Sequence, residues 1–150
     1  MKGIMGMKRV YSVLFALHLF VGIGAMAGGL AAILNPQEPL GASIELLQNS
    51  PFSNFLIPGI ILFTVIGLGN VISAITLGLR FKFQGYVSVV FSGALVIWII
   101  VQCIMINSIV FLHVLFFIIG LTQSVLSALI IFEQRLFPSK LILNFYNRLG

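Results

Sequence analysis

Five imidazole and carboxamide side chains lie within the apolar stretches of this chain and can do hydrogen-bond or proton chemistry there: His18, Asn70, Gln102, His113 and Gln123. Imidazoles and neutral amides at membrane depth suit a haem, a proton path or the polar wall of a ligand site, because polar groups are costly there and often mark pathways. Counting about 1.5 Å per helical residue puts His18, Asn70 and Gln123 about 12 to 14 Å from the inner ends of their spans. These three can meet in one layer. Gln102 and His113 fall near the outer ends of theirs, with Trp98 one turn below Gln102, so each of two layers holds one histidine. One haem would need both imidazoles at one depth, and they lie about 18 and about 6 Å from the outer face. No haem is expected. The same neutral groups also serve as interhelical glue worth about 0.6 to 2 kcal/mol per bond, which is the expected role here; lining a ligand site is the alternative.

Other chemistries lack their residues. The chain has no Asp, and its carboxylates, Glu38, Glu45 and Glu133, fall outside or at the rim of the apolar stretches. A proton-coupled exporter normally carries a carboxylate inside the membrane. Four-span glutathione-using enzymes need arginine and glutamate within the bundle. Neither occurs there. There is no HExxH and no assembled nucleophile set. The single cysteine, Cys103, excludes a CxxC pair and an internal disulfide, and reads as a small buried apolar residue. The expectation is therefore no enzyme, no catalytic, metal-binding or cofactor-binding residue, and no cofactor.

The elements that must position these groups follow from apolar length. The chain of 150 residues is 60% hydrophobic, and no Asp, Glu, Lys or Arg occurs between Phe83 and Phe132. A single helix of that length would run to about 75 Å, more than twice the roughly 30 Å hydrocarbon core of a bilayer. The chain must turn, and Asn107-Ser108 is the turn-forming pair. The fold class is all-α: one polytopic membrane domain, a bundle of four transmembrane helices over 10–34, 55–79, 86–106 and 109–132. An outer loop, 35–54, is expected to form about two helical turns over 41–48, and Ser50-Pro51 reads as a helix cap with proline in the first turn. Pro58 then falls early in the second span or kinks it. In the amphipathic tail, 133–150, Lys140, Asn144, Asn147 and Arg148 share one helical face opposite Leu141, Ile142, Phe145 and Leu149. It reads as an interfacial helix beginning after Pro138.

All eight basic residues, Lys2, Lys8, Arg9, Arg80, Lys82, Arg135, Lys140 and Arg148, fall on one side of this arrangement. Basic loops stay inside, so the expected location is the cell membrane, multi-pass, with both termini cytoplasmic. The alternative is a secretory signal cleaved after Ala25-Met26-Ala27, but the apolar run continues to Leu34 and is long enough to span. Stripes of small and polar residues, His18-Gly22-Ala25-Gly29, Gly67-Asn70-Ala74 and Gly120-Ser124-Ala128, are expected to face the bundle interior.

Three segments in order, NSPFSNFLIPGIILFTVIGLGN, SGALVIWIIVQ and FLHVLFFIIG, cover most of Asn49 to Gly120 and resemble small four-helix bacterial integral membrane proteins of no assigned activity. The resemblance implies the fold and a bacterial membrane location, and brings no catalytic residue. His113 stands where similar sequences are expected to carry glutamine. The functional expectation is an accessory or interaction protein working through helix and lipid contacts. Its expected partners are membrane lipids and a membrane protein or a second copy of itself, without nucleic acid. The alternative is a minimal transporter or binder of a small hydrophobic ligand.

Overall fold

An apolar solvent offers backbone N–H and C=O groups no partner, so a chain crossing it must satisfy them internally, which a helix does within one segment. The structure is a computed structural model that describes residues 2–134, 136 and 139–149, and the side chains of all of these except 2–5, 139 and 140. Expectations for Arg135, for Pro138 and for the Lys2 and Lys140 side chains lie outside the described residues.

Among the described residues four helices are long and apolar enough to cross a membrane. Helix α1 runs Lys2–Leu34, α2 Leu56–Gly78, α3 Gln84–Ile106 and α4 Phe111–Glu133; a fifth helix, α5, covers Ser139–Leu149. Consecutive helices pack side by side and α4 returns to α1, closing a four-membered ring along its least extensive seam. The Phe20 and Phe116 rings stack across that seam with centroids 6.0 Å apart.

The most extensive contact is between α1 and α2. A Cβ added at Gly29 would stand 2.6 Å from the Phe63 backbone N, so only glycine allows the two backbones to approach so closely. Opposite it, α2 is π-wound over Leu62–Leu68 between α-helical turns Leu56–Ile61 and Gly69–Gly78. The sequence pattern did not announce this change of winding.

The turns use strained but capped backbone. Asn107 ends α3 in the left-handed region at φ 50°, which asparagine tolerates. After α2, Phe81 N–H bonds to the Thr76 carbonyl and Arg80 N–H to the Leu77 carbonyl, at 3.1 and 3.3 Å. This is a Schellman stop with Arg80, at φ 56°, in the place glycine usually takes.

Two loop expectations need correction. Residues 41–48 do not form two continuous turns: short 3-10 turns at Pro39–Gly41 and Ile44–Leu47 are separated because Leu40 and Gly41 have φ of 52° and 84°. Ser50 does not cap a helix. Its Oγ donates back to the Leu47 carbonyl at 2.9 Å, while Asn54 Oδ1 accepts the Leu56 N–H at 3.0 Å and opens α2. Pro58 therefore lies in the first turn of α2, where its missing N–H costs nothing. Phe55 N–H bonds to the Pro36 carbonyl at 2.9 Å, tying the two ends of the loop together.

Candidate functional site

The inner polar layer takes one or more side chains from each of α1 to α4. His18 Nδ1 lies 2.7 Å from Asn70 Oδ1, and His18 Nε2 lies 2.5 Å from Ser88 Oγ. Ser88 Oγ is 2.7 Å from Ser127 Oγ, and Gln123 Nε2 donates to Asn70 Oδ1 at 3.3 Å. His18, Asn70, Ser88, Gln123 and Ser127 are all fully buried.

The donors can be assigned by following the hydrogens. Asn70 Nδ2 donates to the Ile66 carbonyl at 2.8 Å, within the π-wound segment, which turns Oδ1 toward His18. Oδ1 can only accept, so His18 carries its hydrogen on Nδ1 and offers a lone pair at Nε2 to the Ser88 O–H. Ser127 O–H then has two acceptors in reach, Ser88 Oγ and the Gln123 carbonyl at 2.6 Å. One neutral tautomer thus satisfies nearly the whole set. With His18 protonated on Nδ1, the 3.3 Å approach of Gln123 Nε2 to that atom is donor against donor and adds no bond. Gln123 Oε1 is left buried without a partner.

Above this layer lies an apolar plug. Val21, Ile66 and Leu95 are buried between the layer and Trp98. Beyond the plug, Trp98, Gln102 and His113 line a cleft of about 260 Å³ together with Gly24 and Gly28 of α1. Gln102 and His113 share this wall but no hydrogen bond joins them among the described residues. Instead His113, the third residue of α4, accepts the Val110 N–H on Nδ1 at 3.3 Å and so caps its own helix. A shallower apolar groove of about 840 Å³ lies between α3 and α4, lined by Cys103, Ile104, Ile109 and Val114 among others, with His113 at its edge.

Several contributors were missed by the sequence reading. Ser88 and Ser127 carry the layer across α3 and α4, and the spacing of Ser127 four residues after Gln123 was a usable signal. The α4 stripe was misplaced by one position: Gly120, Gln123, Ser127 and Ile130 are buried, whereas Ser124 and Ala128 are only half-buried. Ser124 spends its hydroxyl on the Gly120 carbonyl instead. Tyr11 was also missed. It stands near the basic end of the bundle with the Arg80 guanidinium 3.7 Å from its ring centroid and the Gln84 and Gln134 amides each 3.4 Å from Oη. Turning over either amide would let the phenol O–H donate to an Oε1 that otherwise has no partner.

Among the described residues no three His, Cys, Asp or Glu side chains come together in a metal-binding group. What the inner layer can do chemically is exchange hydrogen bonds among neutral groups. Comparison with protein-family models, with curated proteins and with solved structures finds no match to this chain.

Proposed function

We propose that this chain is a multi-pass protein of a bacterial cytoplasmic membrane, with both termini cytoplasmic, that acts as an accessory or interaction protein through its outward helix faces. One observation carries this reading: the inner polar layer is closed, since its side chains are fully buried and spent almost entirely on one another. A substrate path would need polar groups in reach of solvent, and the apolar plug of Val21, Ile66 and Leu95 separates the layer from the cleft. Glue between helices needs neither. The orientation is supported by Arg80 lying over Tyr11, which brings the basic α2–α3 turn beside the basic start of α1. Helix α5, whose Leu141, Ile142, Phe145 and Leu149 are exposed, fits the inner leaflet surface with Arg148 toward the headgroups.

Native mass spectrometry of protein extracted gently from its own membrane tests the reading, repeated on Asn70→Leu. The expected result is a complex of defined stoichiometry, with another protein or a second copy, that persists in the folded but less stable variant. A monomer in every preparation, or a complex lost only because the polar layer was altered in a folded chain, would overturn it. A reporter fused after Gly150 should be cytoplasmic and one inserted at Gly41 external.

A further inference from the structure

The outer cleft contains polar groups that the bundle does not use. Trp98 is 7% exposed, and its Nε1–H is buried without an acceptor, an expensive state in an apolar setting. On the same wall His113 has lent Nδ1 to the Val110 N–H, so the neutral imidazole holds its hydrogen on Nε2 and is a donor there. Gln102 adds a half-buried amide with no partner among the described residues. Among the described residues no Lys, Arg, Asp or Glu lines the cleft; the remaining walls include Leu62, Leu95, Ile99 and Phe116.

Two donors in an uncharged apolar cleft define their complement. A charged ligand would find no counter-charge, and a pure hydrocarbon would leave the indole N–H unsatisfied. A carbonyl on an apolar body meets both conditions, since its oxygen is a stronger acceptor than that of an ether. We propose that this cleft binds the uncharged, carbonyl-bearing apolar part of a larger molecule, its oxygen entering beside His113 Nε2–H and the Gln102 amide and reaching the sealed Trp98 Nε1–H by a small turn of the indole.

Size and access restrict the occupant further. About 260 Å³ is slightly below the roughly 300 to 1,000 Å³ of pockets that enclose a whole drug-sized molecule, so the cleft takes the carbonyl-bearing part and leaves a tail outside. The way out is the α1 wall. Gly24 is exposed, lines the cleft, and an added Cβ there would meet nothing within 4 Å. Such a carbonyl has two sources in a membrane, the acyl ester of a bilayer lipid or a free compound such as a tailed quinone.

The proposal goes beyond the interaction reading and fails separately from it: a chain with a partner but no carbonyl binding sinks this inference alone, and binding without a partner sinks the other alone. Trp98 is the single tryptophan, so its emission reports the cleft directly. The full chain in an alkyl glycoside detergent, which has no carbonyl, is titrated with methyl decanoate and with decyl methyl ether. The ester should shift Trp98 emission saturably and the ether should bind at least about tenfold more weakly, the size of one buried hydrogen bond. Gly24→Leu should abolish the response while the unfolding temperature does not fall, since a mid-helix glycine is being replaced by a good helix former, and Gln102→Leu should weaken it. Reconstitution in ester-linked against ether-linked phosphatidylglycerol identifies a bilayer lipid if only the ester bilayer gives the shift; saturable quenching by a decyl-tailed benzoquinone in ether-linked bilayers identifies a free ligand. Equal responses to ester and ether, or an undiminished response in folded Gly24→Leu, would overturn the proposal.

Discussion

The two polar layers of this bundle are built from the same side-chain types, an imidazole and a carboxamide in each, and they end in opposite conditions. In the inner layer His18 uses both ring nitrogens on neighbours from other helices. In the outer one His113 uses one nitrogen on its own helix start and Trp98 uses none. The difference lies in what faces them. Opposite His18 stand serines, small hydroxyls that can donate or accept and so complete a network. Beside Trp98 stand Gly24 and Gly28, which offer no side chain and leave a cleft. Polar residues in an apolar helix bundle therefore do not declare a site or a brace by their own type; the complement supplied from the facing helices decides.

That contrast can be broken by substitution, and the largest effect should come from His18→Leu. It leaves Asn70 Oδ1 with only the 3.3 Å bond from Gln123 and takes the acceptor from the Ser88 O–H, each lost partner costing about 1 to 3 kcal/mol, so a loss of about 3 kcal/mol is expected in thermal or denaturant unfolding of the detergent-solubilised chain. A loss below about 1 kcal/mol would mean that the layer is not holding the helices.

Ser88→Ala and Ser127→Ala should each cost about 1 kcal/mol, and the double variant should cost less than the sum by about 0.5 kcal/mol or more, because the two hydroxyls share one contact. Strict additivity would dissolve the network into separate helix contacts.

The outer layer should respond more weakly. Trp98→Phe removes an N–H that has no acceptor and keeps most of the apolar volume, so stability should change by less than about 1.5 kcal/mol in the same assay. The smallest effect is expected for His113→Gln, within about 0.5 kcal/mol, since glutamine at the third helical position can accept the same Val110 N–H; His113→Leu, which cannot, should cost about 1 kcal/mol. If Gln and Leu behave alike, the cap contributes nothing.

Much of the architecture was readable because apolar length is a direct demand of the solvent. The helices after the first begin and end within about two residues of where composition placed them, while α1 extends back to Lys2, since helix continues into polar sequence wherever nothing stops it. Counting residues from span ends was enough to put His18, Asn70 and Gln123 at one depth, and their side chains stand 2.7 to 3.3 Å apart. Rotation about the helix axis was harder. Ser127 and Ser124 look alike in sequence, and only packing against α3 decides which one turns inward. Arg80 in a left-handed turn was also invisible, because the usual marker is glycine and the arginine occupies that position while its guanidinium rests on Tyr11.

The π-wound turns of α2 set a frame for everything after them. A π insertion holds one residue more than the α-helix around it, so the positions that face the bundle are offset by one in sequence between the two halves of the span. Asn70, Ser73, Ala74 and Leu77 face the bundle with that extra residue taken up in the wide turns. Deleting one amino acid between Leu62 and Leu68 would let those turns close into ordinary α-helix and leave Asn70 in the layer, whereas a deletion in the α-helical turns of Gly69–Gly78 would swing every later position by about 100°. The π-wound segment is the slack in an otherwise rigid rod.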